Sequence, residues 1–387
     1  MDITIHPRSL QGSISVIPSK SQAHRLLICA AFASTQTTLI CKQINIDILA
    51  TVGCLRSFGV KIEEIPDGFR IAPAAAFPPS ADLYCRESGS TLRFLLPIAG
   101  ALGIDTTFHL EGRLSQRPLS PLWEEMERMG CRLSRPTEST VRCQGKLRPG
   151  AYSISGNVSS QFISGLLMAF PLMDGPCTLD IIGKLESAPY VDMTRAALAL
   201  FPDRHSPGEL TVEGDWSNGA FFLGANSLGN SISVQNLNPD SPQGDRMAAA
   251  LFPQLCQGYC TIDASDIPDL VPILSVVAAC HYGAVFENIR RLRIKESDRV
   301  ASVIAMLESL GGHAEATENT LTVFGTGLTG GTVDSANDHR IAMSAAIAST
   351  VCKDPVTILG AQCVSKSYPI FWEEFTRLGG NYEQYLR

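Results

Sequence analysis

Apolar and polar positions follow one phrase that recurs six times along the chain. A short segment alternates apolar and polar side chains. A few small polar residues follow, and then a largely apolar run begins. The phrase reads ISVIPSKSQAHRLLICAAFA from Ile14, DLYCRESGSTLRFLLPIAGA from Asp82 and YSISGNVSSQFISGLLMAFP from Tyr152. It returns as LTVEGDWSNGAFFLGA from Leu210, CTIDASDIPDLVPILSVVAA from Cys260 and GTVDSANDHRIAMSAAIAS from Gly331. Alternation with period two predicts a strand, and the run after it predicts a helix. Such a helix is apolar all round, which predicts that it is buried on every side.

A second phrase follows the first: another strand, another loop, and a helix that often ends in Gly. Examples are TTFHLEGRLSQRPLSPLWEEMERMG and AVFENIRRLRIKESDRVASVIAMLESLGG. Two further strands close the unit, as in VKIEEIPDGFRIAP, so each unit is expected to be β-α-β-α-β-β. From Ile14 to Gly331 is five steps, a mean period of about 63 residues, longer than most solenoid repeats. The sixth unit stops after its second helix, at Arg387, without its closing strands, while the chain opens with an orphan strand from Asp2 to Arg8. That strand is expected to complete the sixth unit. The expected α/β fold then has two domains of three repeats each, residues 18–213 and residues 1–17 with 214–387. The chain would cross between them near Pro18 and near Gly214, a two-crossing hinge.

Composition narrows the class. A chain of 387 residues exceeds the usual size of a single core. With 45% hydrophobic and 18% charged residues it reads as a well-buried globular enzyme rather than a disordered chain. The net charge of -7 argues against sequence-independent nucleic-acid binding, which uses a basic face. The 12 cysteines include no Cys-x-x-Cys pair, and several lie in apolar runs, so buried free thiols in a reducing compartment are expected. The N-terminus has no basic-then-apolar leader, and no apolar run is long enough to span a bilayer. A cytoplasmic protein without a membrane partner is expected.

The candidate chemistry collects at the loops and helix starts. The cations there are Lys20, Arg25, Arg93, Arg117, Lys295, Arg299, Arg340 and Lys366. The neutral donors include Ser21, Ser88, Gly89, Ser90, Ser159, Ser160, Gln161, Ser187 and Tyr190, and the acids are Asp215, Asp269, Glu296, Asp298 and Asp338. Helix N-termini carry unpaired N–H groups and the positive end of the dipole, so an anion is favoured beside them. The set fits a cleft for several phosphates or carboxylates. Each member alone has a plainer explanation. A Ser at a helix start is an N-cap, Asp298 and Asp338 are first-turn acids, and KESDR (295–299) is a solvated helix start with a Glu296–Arg299 pair. Arg25 and Arg93 resist such a reading, because each lies in an apolar run where an unpaired cation is costly. Asp269 has no basic neighbour in sequence, so its cations are expected to come from elsewhere in the fold. The seven histidines show no metal-ligand spacing.

These motifs together resemble the EPSP synthases (3-phosphoshikimate 1-carboxyvinyltransferases) of the enolpyruvyl transferases. The resemblance rests on Lys20-Ser21-x-x-x-Arg25, SGSTLR (88–93), RLSQRP (113–118), VSSQF (158–162), SAPYVD (187–192), IPDLVP (267–272), RIKESDR (293–299), NDHRIAM (337–343) and Lys366. It implies two inside-out α/β barrel domains and transfer of the enolpyruvyl group of phosphoenolpyruvate to the 5-hydroxyl of 3-phosphoshikimate, by addition and elimination. It implies neither a metal nor an organic cofactor, and a monomer is expected. By matching motif, Lys20, Ser21, Arg25, Ser159, Ser160, Gln161, Ser187, Asp269 and Lys295 are expected to hold 3-phosphoshikimate. Lys20, Gly89, Arg117, Gln161, Arg299, Arg340 and Lys366 are expected to hold phosphoenolpyruvate. The resemblance assigns Asp269 as base on the hydroxyl, Glu296 as proton donor to carbon, and Lys20 as a group that neutralises charge near both.

Two positions depart from the family pattern. Glu87 begins a loop where many members have Asn, and Arg291 stands where many have Asn four residues before the lysine of the Lys-Glu motif. A UDP-N-acetylglucosamine enolpyruvyl transferase is the alternative, but the loop GRLSQRPLS lacks the reactive Cys that such enzymes carry. A non-catalytic anion-binding protein on the same repeats is the other alternative. It would not need both Asp269 and Glu296 among so many cations.

Overall fold

The computed structural model describes residues 1–385. Among them are twelve α-helices: α1 (Lys20–Ala31), α2 (Ile46–Ser57), α3 (Gly89–Leu102), α4 (Leu122–Arg128), α5 (Ser160–Ala169), α6 (Ala188–Ala199), α7 (Trp216–Ser227), α8 (Ala248–Leu255), α9 (Val271–Cys280), α10 (Arg299–Ser309), α11 (His339–Ala348) and α12 (Phe371–Arg377). Two compact units form, Pro18–Glu213 and Met1–Ile17 with Gly214–Arg387, and each has its own apolar core. Leu386 and Arg387 lie outside the described residues.

The repeat is visible in the sheets. Ser80–Arg86 runs parallel to Asp105–Leu110, with α3 between them. Asp105–Leu110 then pairs antiparallel with Thr140–Gly145, which pairs with Cys131–Ser134. The same order recurs as Cys260–Asp263, Gly283–Glu287, Thr320–Phe324 and His313–Ala316. A parallel pair needs a long crossover, and the apolar helix supplies it.

Three expectations need correction. A strand, Asn381–Tyr385, follows α12, so the sixth repeat does not stop at its second helix. The N-terminal strand ends at His6 rather than Arg8, and it lies between Val356–Leu359 and Asn381–Tyr385. The third repeat has only the parallel pair Gly150–Ser155 and Cys177–Ile182, without closing strands, and the fourth likewise lacks closing strands, its second strand Ser231–Gln235 pairing parallel with Gln11–Ser15.

The first strands of the first and fourth repeats are also exchanged. Gln11–Ser15, just before α1, pairs with Ser231–Gln235 in the Gly214–Arg387 unit. Glu209–Thr211, just before α7, pairs with Thr37–Ile40 in the Pro18–Glu213 unit. The chain therefore changes unit between strand and helix on both passes, at Ile17–Pro18 and Glu213–Gly214. A local pattern of strand, loop and helix is the same whichever sheet takes the strand.

Burial follows the apolar runs. Every residue of α9 from Val271 to Ala279, and every residue of α11, is buried. Helix starts are fixed by capping. Ser88 accepts from Thr91 N, Ser159 from Gln161 N, Asp215 from Asn218 N and Asp338 from Arg340 N. α3 and α5 approach closely at Gly165, where an added Cβ would press into the Arg93 carbonyl oxygen and reach the Pro97 ring at 3.2 Å. Gly165→Ala is expected to lower stability by about 1–3 kcal/mol through overpacking of this crossing. Urea unfolding checks it, and an unchanged midpoint contradicts the close approach.

Candidate active site

In the Pro18–Glu213 unit the cations that sequence left unexplained are tied to helices. The Arg25 guanidinium donates to Thr194 Oγ1 at 2.7 Å, to the Tyr190 carbonyl at 2.8 Å and to the Ser21 carbonyl at 2.6 Å. It also lies 5.0 Å from the centre of the Phe94 ring. Burial pushes it down to about 10, against the opposing influence of Tyr190 and Cys29. Arg25 thus fastens α1 to α6, which is how an apolar run tolerates it. Arg93 donates to Gln161 Oε1 at 2.8 Å and to the Pro118 carbonyl at 3.1 Å, and Gln161 Nε2 donates to Ser90 Oγ at 3.0 Å. Gln161 is therefore held in a fixed pose by α3.

Arg117 is different. Its guanidinium makes no hydrogen bond or ion pair among the described residues. It lies over Gly89, the first residue of α3, where an added Cβ would sit 2.8 Å from Nη1. An unpaired cation at a helix N-terminus is suited to an anion. Glu87 packs its carboxyl against Gly112, whose φ of +52 opens the 3-10 turn Gly112–Gln116 just before Arg117. The departure at 87 thus bears on the turn that carries Arg117. Lys20 Nζ is 3.0 Å from Asp47 Oδ2 on α2, a partner not anticipated from sequence. Ser159 caps α5, Ser160 is buried beside it, and Ser187 is buried at the start of α6 with a left-handed φ of 57.

In the Gly214–Arg387 unit the expected residues converge. Arg299, 1% exposed, opens α10 and meets three carboxylates. Its Nε donates to Asp338 Oδ2 at 2.9 Å, Nη1 to Asp269 Oδ1 at 2.5 Å and Nη2 to Glu296 Oε2 at 2.5 Å. Asp338 also accepts from Ser297 Oγ at 3.0 Å. Asp269 Oδ2 is 3.0 Å from Arg340 Nη2, and Oδ1 is 3.9 Å from Lys295 Nζ. Asp269 thus finds cations from two other stretches of chain. KESDR is not a solvated helix start, since Arg299 is buried. Lys366, in the 3-10 turn Ala361–Lys366, donates to the Asn337 carbonyl at 3.2 Å, next to the α11 cap.

Charge and burial set the proton affinities. Burial alone would push the Asp269 carboxyl up. The charges of Arg340, Lys295 and Arg299 outweigh it and hold the group well below the usual carboxylate range. Burial pulls Arg299 down, but Asp338, Glu296 and Asp269 raise it well above its ordinary value. Lys295 is pushed down to about 8, by burial first; Asp269 opposes this, while Arg299 and Arg291 add to it. The buried Arg291, the second departure from the family pattern, therefore weakens the hold of Lys295 on its proton.

One acid escaped the sequence analysis. Asp245, in the 3-10 turn Gly244–Met247, is buried and accepts a hydrogen bond from Ser217, which itself accepts from Arg340 Nη1 at 2.5 Å. The stretch SPQGDR reads as a polar loop, and nothing local marks its Asp as buried.

Comparison with known proteins places the chain in a family. The EPSP synthase family (3-phosphoshikimate 1-carboxyvinyltransferase) matches the chain over residues 5–255 and 256–375. The chain belongs to the EPSP synthase family. A 3-phosphoshikimate 1-carboxyvinyltransferase of Clostridium kluyveri is 36% identical across 99% of this chain and 98% of its own length. One of Clostridium acetobutylicum is also 36% identical over the same shares. A solved EPSP synthase from Acinetobacter baumannii superposes with a TM-score of 0.79 at 22% identity, covering 99% of this chain and 100% of its own. An enolpyruvyl transferase from Streptomyces tendae superposes at 0.76 and 16% identity, over 99% and 98% of the two chains. These two likenesses carry the two-domain α/β fold of the family.

No group of three or more His, Cys, Asp or Glu suited to a metal ion occurs among the described residues. No helix among them is long and apolar enough to cross a membrane.

The three carboxylates around Arg299 make a stability prediction. Arg299→Met leaves the buried Asp338 and the partly buried Asp269 and Glu296 without their shared guanidinium, at a cost of about 3–5 kcal/mol at pH 7. A carboxyl held below its unfolded value of 3.8, as Asp269 is, contributes stability above about pH 4 and loses it as pH falls through its lowered folded value. The gap between parent and variant is thus full at pH 7 and narrows below about pH 4. Denaturant unfolding at both pH values checks it, and a gap that widens in acid contradicts it.

Proposed function

We propose that the protein transfers the enolpyruvyl group of phosphoenolpyruvate to the 5-hydroxyl of 3-phosphoshikimate, releasing phosphate. The observation that carries this reading is the Asp269 carboxylate held between Arg299 and Arg340, with Glu296 on the same Arg299. Membership of the EPSP synthase family supports it. A base, a proton donor and three cations in one cluster suit the meeting of two polyanions better than simple anion storage. The loop before Arg117 carries no Cys, which disfavours the sister activity on UDP-N-acetylglucosamine.

In this reading Lys20, Ser21, Arg25, Ser159, Ser160, Gln161, Ser187, Asp269 and Lys295 hold 3-phosphoshikimate. Lys20, Gly89, Arg117, Gln161, Arg299, Arg340 and Lys366 hold phosphoenolpyruvate. For Arg25 the role is indirect, since its donors already serve Thr194, Tyr190 and Ser21. The hydroxyl oxygen adds to C2 of phosphoenolpyruvate while its proton passes to Asp269 and Glu296 delivers a proton to C3. The tetrahedral intermediate then loses a C3 proton and phosphate. A carboxylate fastened to two guanidiniums is a poor base, so a further step is needed. The carboxylate or phosphate of phosphoenolpyruvate draws Arg340 away from Asp269, and Asp269 gains proton affinity as that partner leaves.

The finer fold reading follows the family. Each three-repeat unit is an inside-out barrel, with helices such as α9 and α11 enclosed and sheets outside. The crossings at Ile17–Pro18 and Glu213–Gly214 are its hinge. In this reading the working form is a monomer. The twelve free thiols favour the cytoplasm.

The direct test is release of phosphate from phosphoenolpyruvate in the presence of 3-phosphoshikimate. The parent protein turns over, and Asp269→Asn lowers kcat about a hundredfold or more while binding 3-phosphoshikimate within about tenfold of parent. No release from this pair of substrates contradicts the function, and a near-parental Asp269→Asn removes Asp269 as the base.

Lys295 adds a pH prediction. Its ammonium is lost above about pH 8, so kcat/KM for 3-phosphoshikimate falls on the alkaline side. Removing the neighbouring charge in Arg291→Asn moves this limb to higher pH, because the lysine then keeps its proton longer. A limb unmoved in the variant contradicts the influence of Arg291.

A further inference from the structure

Asp245 lies beneath the cluster already described, and nothing in the reaction as assigned uses it. It is buried, 4% exposed, and its Oδ1 has no hydrogen-bond partner among the described residues. Ser217, on the first turn of α7, lies beside it. Ser217 in turn accepts from Arg340 Nη1 at 2.5 Å, and the other terminal nitrogen of Arg340 is 3.0 Å from Asp269 Oδ2. The guanidinium is thus held from two sides, by Asp269 directly and by Asp245 through one hydroxyl. A buried carboxyl with an idle oxygen is costly, and such groups mark places where a charge is managed.

We propose that Asp245 is a positioning residue which, through Ser217, anchors the Arg340 guanidinium and sets with pH how readily Arg340 passes from Asp269 to an anionic substrate. The inference rests on the reading of Arg340 as a ligand of phosphoenolpyruvate.

The charged groups that face Asp245 come from each neighbouring element. Asp269 approaches from the loop before α9, Arg340 from α11 and Asp215 from the cap of α7. Arg246, next to it on the turn, is exposed and points away to the Pro239 carbonyl at 3.2 Å. α8 carries no charged residue. Burial and the nearby Asp269 push the Asp245 carboxyl up to about 7, with Arg340 and the Ser217 hydrogen bond opposing them. Below that pH the carboxyl is neutral and adds no charge behind Arg340, which pairs with Asp269. Above it Asp245 is a second anion behind the same guanidinium. Arg340 is then held back more strongly, and a substrate anion competes less well for it.

The expected signature separates KM from kcat. In the parent, kcat/KM for phosphoenolpyruvate falls about threefold or more between pH 6 and 8, through KM rather than kcat. Asp245→Asn, which is never charged, keeps the low-pH KM across this range. The ratio of variant to parent cancels the ionisation of phosphoenolpyruvate itself. Ser217→Ala breaks the link while leaving the carboxyl in place, so its step in KM between pH 6 and 8 is smaller than in the parent. It serves as the second variant if Asp245→Asn does not fold, and thermal melting establishes which variants do.

Calorimetric titration with phosphoenolpyruvate over the same pH range reads the inference without turnover. Failure of the parent to release phosphate overturns the proposed reaction alone. Equal pH dependence of phosphoenolpyruvate binding in parent and variants, or no binding by any of them, overturns the role of Asp245. A step in kcat with KM unchanged overturns it too, since that would place Asp245 in the chemistry rather than behind Arg340.

Discussion

A guanidinium with 1% exposure has to be paired, and the chemistry of the Gly214–Arg387 unit is arranged around that constraint at Arg299. Its five N–H donors are laid out in a fixed fork. The fork draws Asp338 from the α11 cap, Glu296 from the turn before α10, and Asp269 from the loop before α9. Arg299 therefore fixes the relative places of the proposed base and the proposed acid. Arg340 and Lys295 then neutralise the surplus negative charge, and this is why Asp269 stays ionised although it is largely buried. Stability and function share the same bonds, since the cations that keep Asp269 charged are those that an incoming anion would recruit.

The Pro18–Glu213 unit solves the same problem differently. Arg25 and Arg93 spend their donors on carbonyls, hydroxyls and one amide, with aromatic faces against them. They stiffen the helix starts that present Ser159, Gln161 and Gly89. Only Arg117 among the expected site cations of this unit is left without a partner among the described residues. A rigid frame with one unpaired guanidinium suits anion capture, because little has to be rearranged when the anion arrives.

Much of this was legible in sequence where the signal is local. The six strand–loop–helix phrases, the capping residues and the all-round apolar helices depend on neighbours in the chain, and α3, α9 and α11 lie where the pattern put them. The exchange of Gln11–Ser15 and Glu209–Thr211 between sheets was not legible, because either strand has the same pattern in either sheet. Pairings across long separations were hidden for the same reason. Arg25 lies 169 residues from Thr194, and Lys20 lies 27 from Asp47. Asp245 was missed because its turn is covered by packing against α7 and α8, and nothing in its own polar loop marks it as buried. The acids singled out by motif, Asp269 and Glu296, do meet around one arginine, which motif order alone could not establish.

The central claim is that Asp269 is a restrained base, released when phosphoenolpyruvate takes Arg340. Carbon-13 NMR of the Asp269 carboxyl, assigned by its loss in Asp269→Asn and titrated with and without phosphoenolpyruvate, measures this directly. The account predicts a carboxyl that stays ionised far into acid in the free protein and titrates at distinctly higher pH with phosphoenolpyruvate bound. A titration that is unchanged, or moves to lower pH, on binding contradicts it.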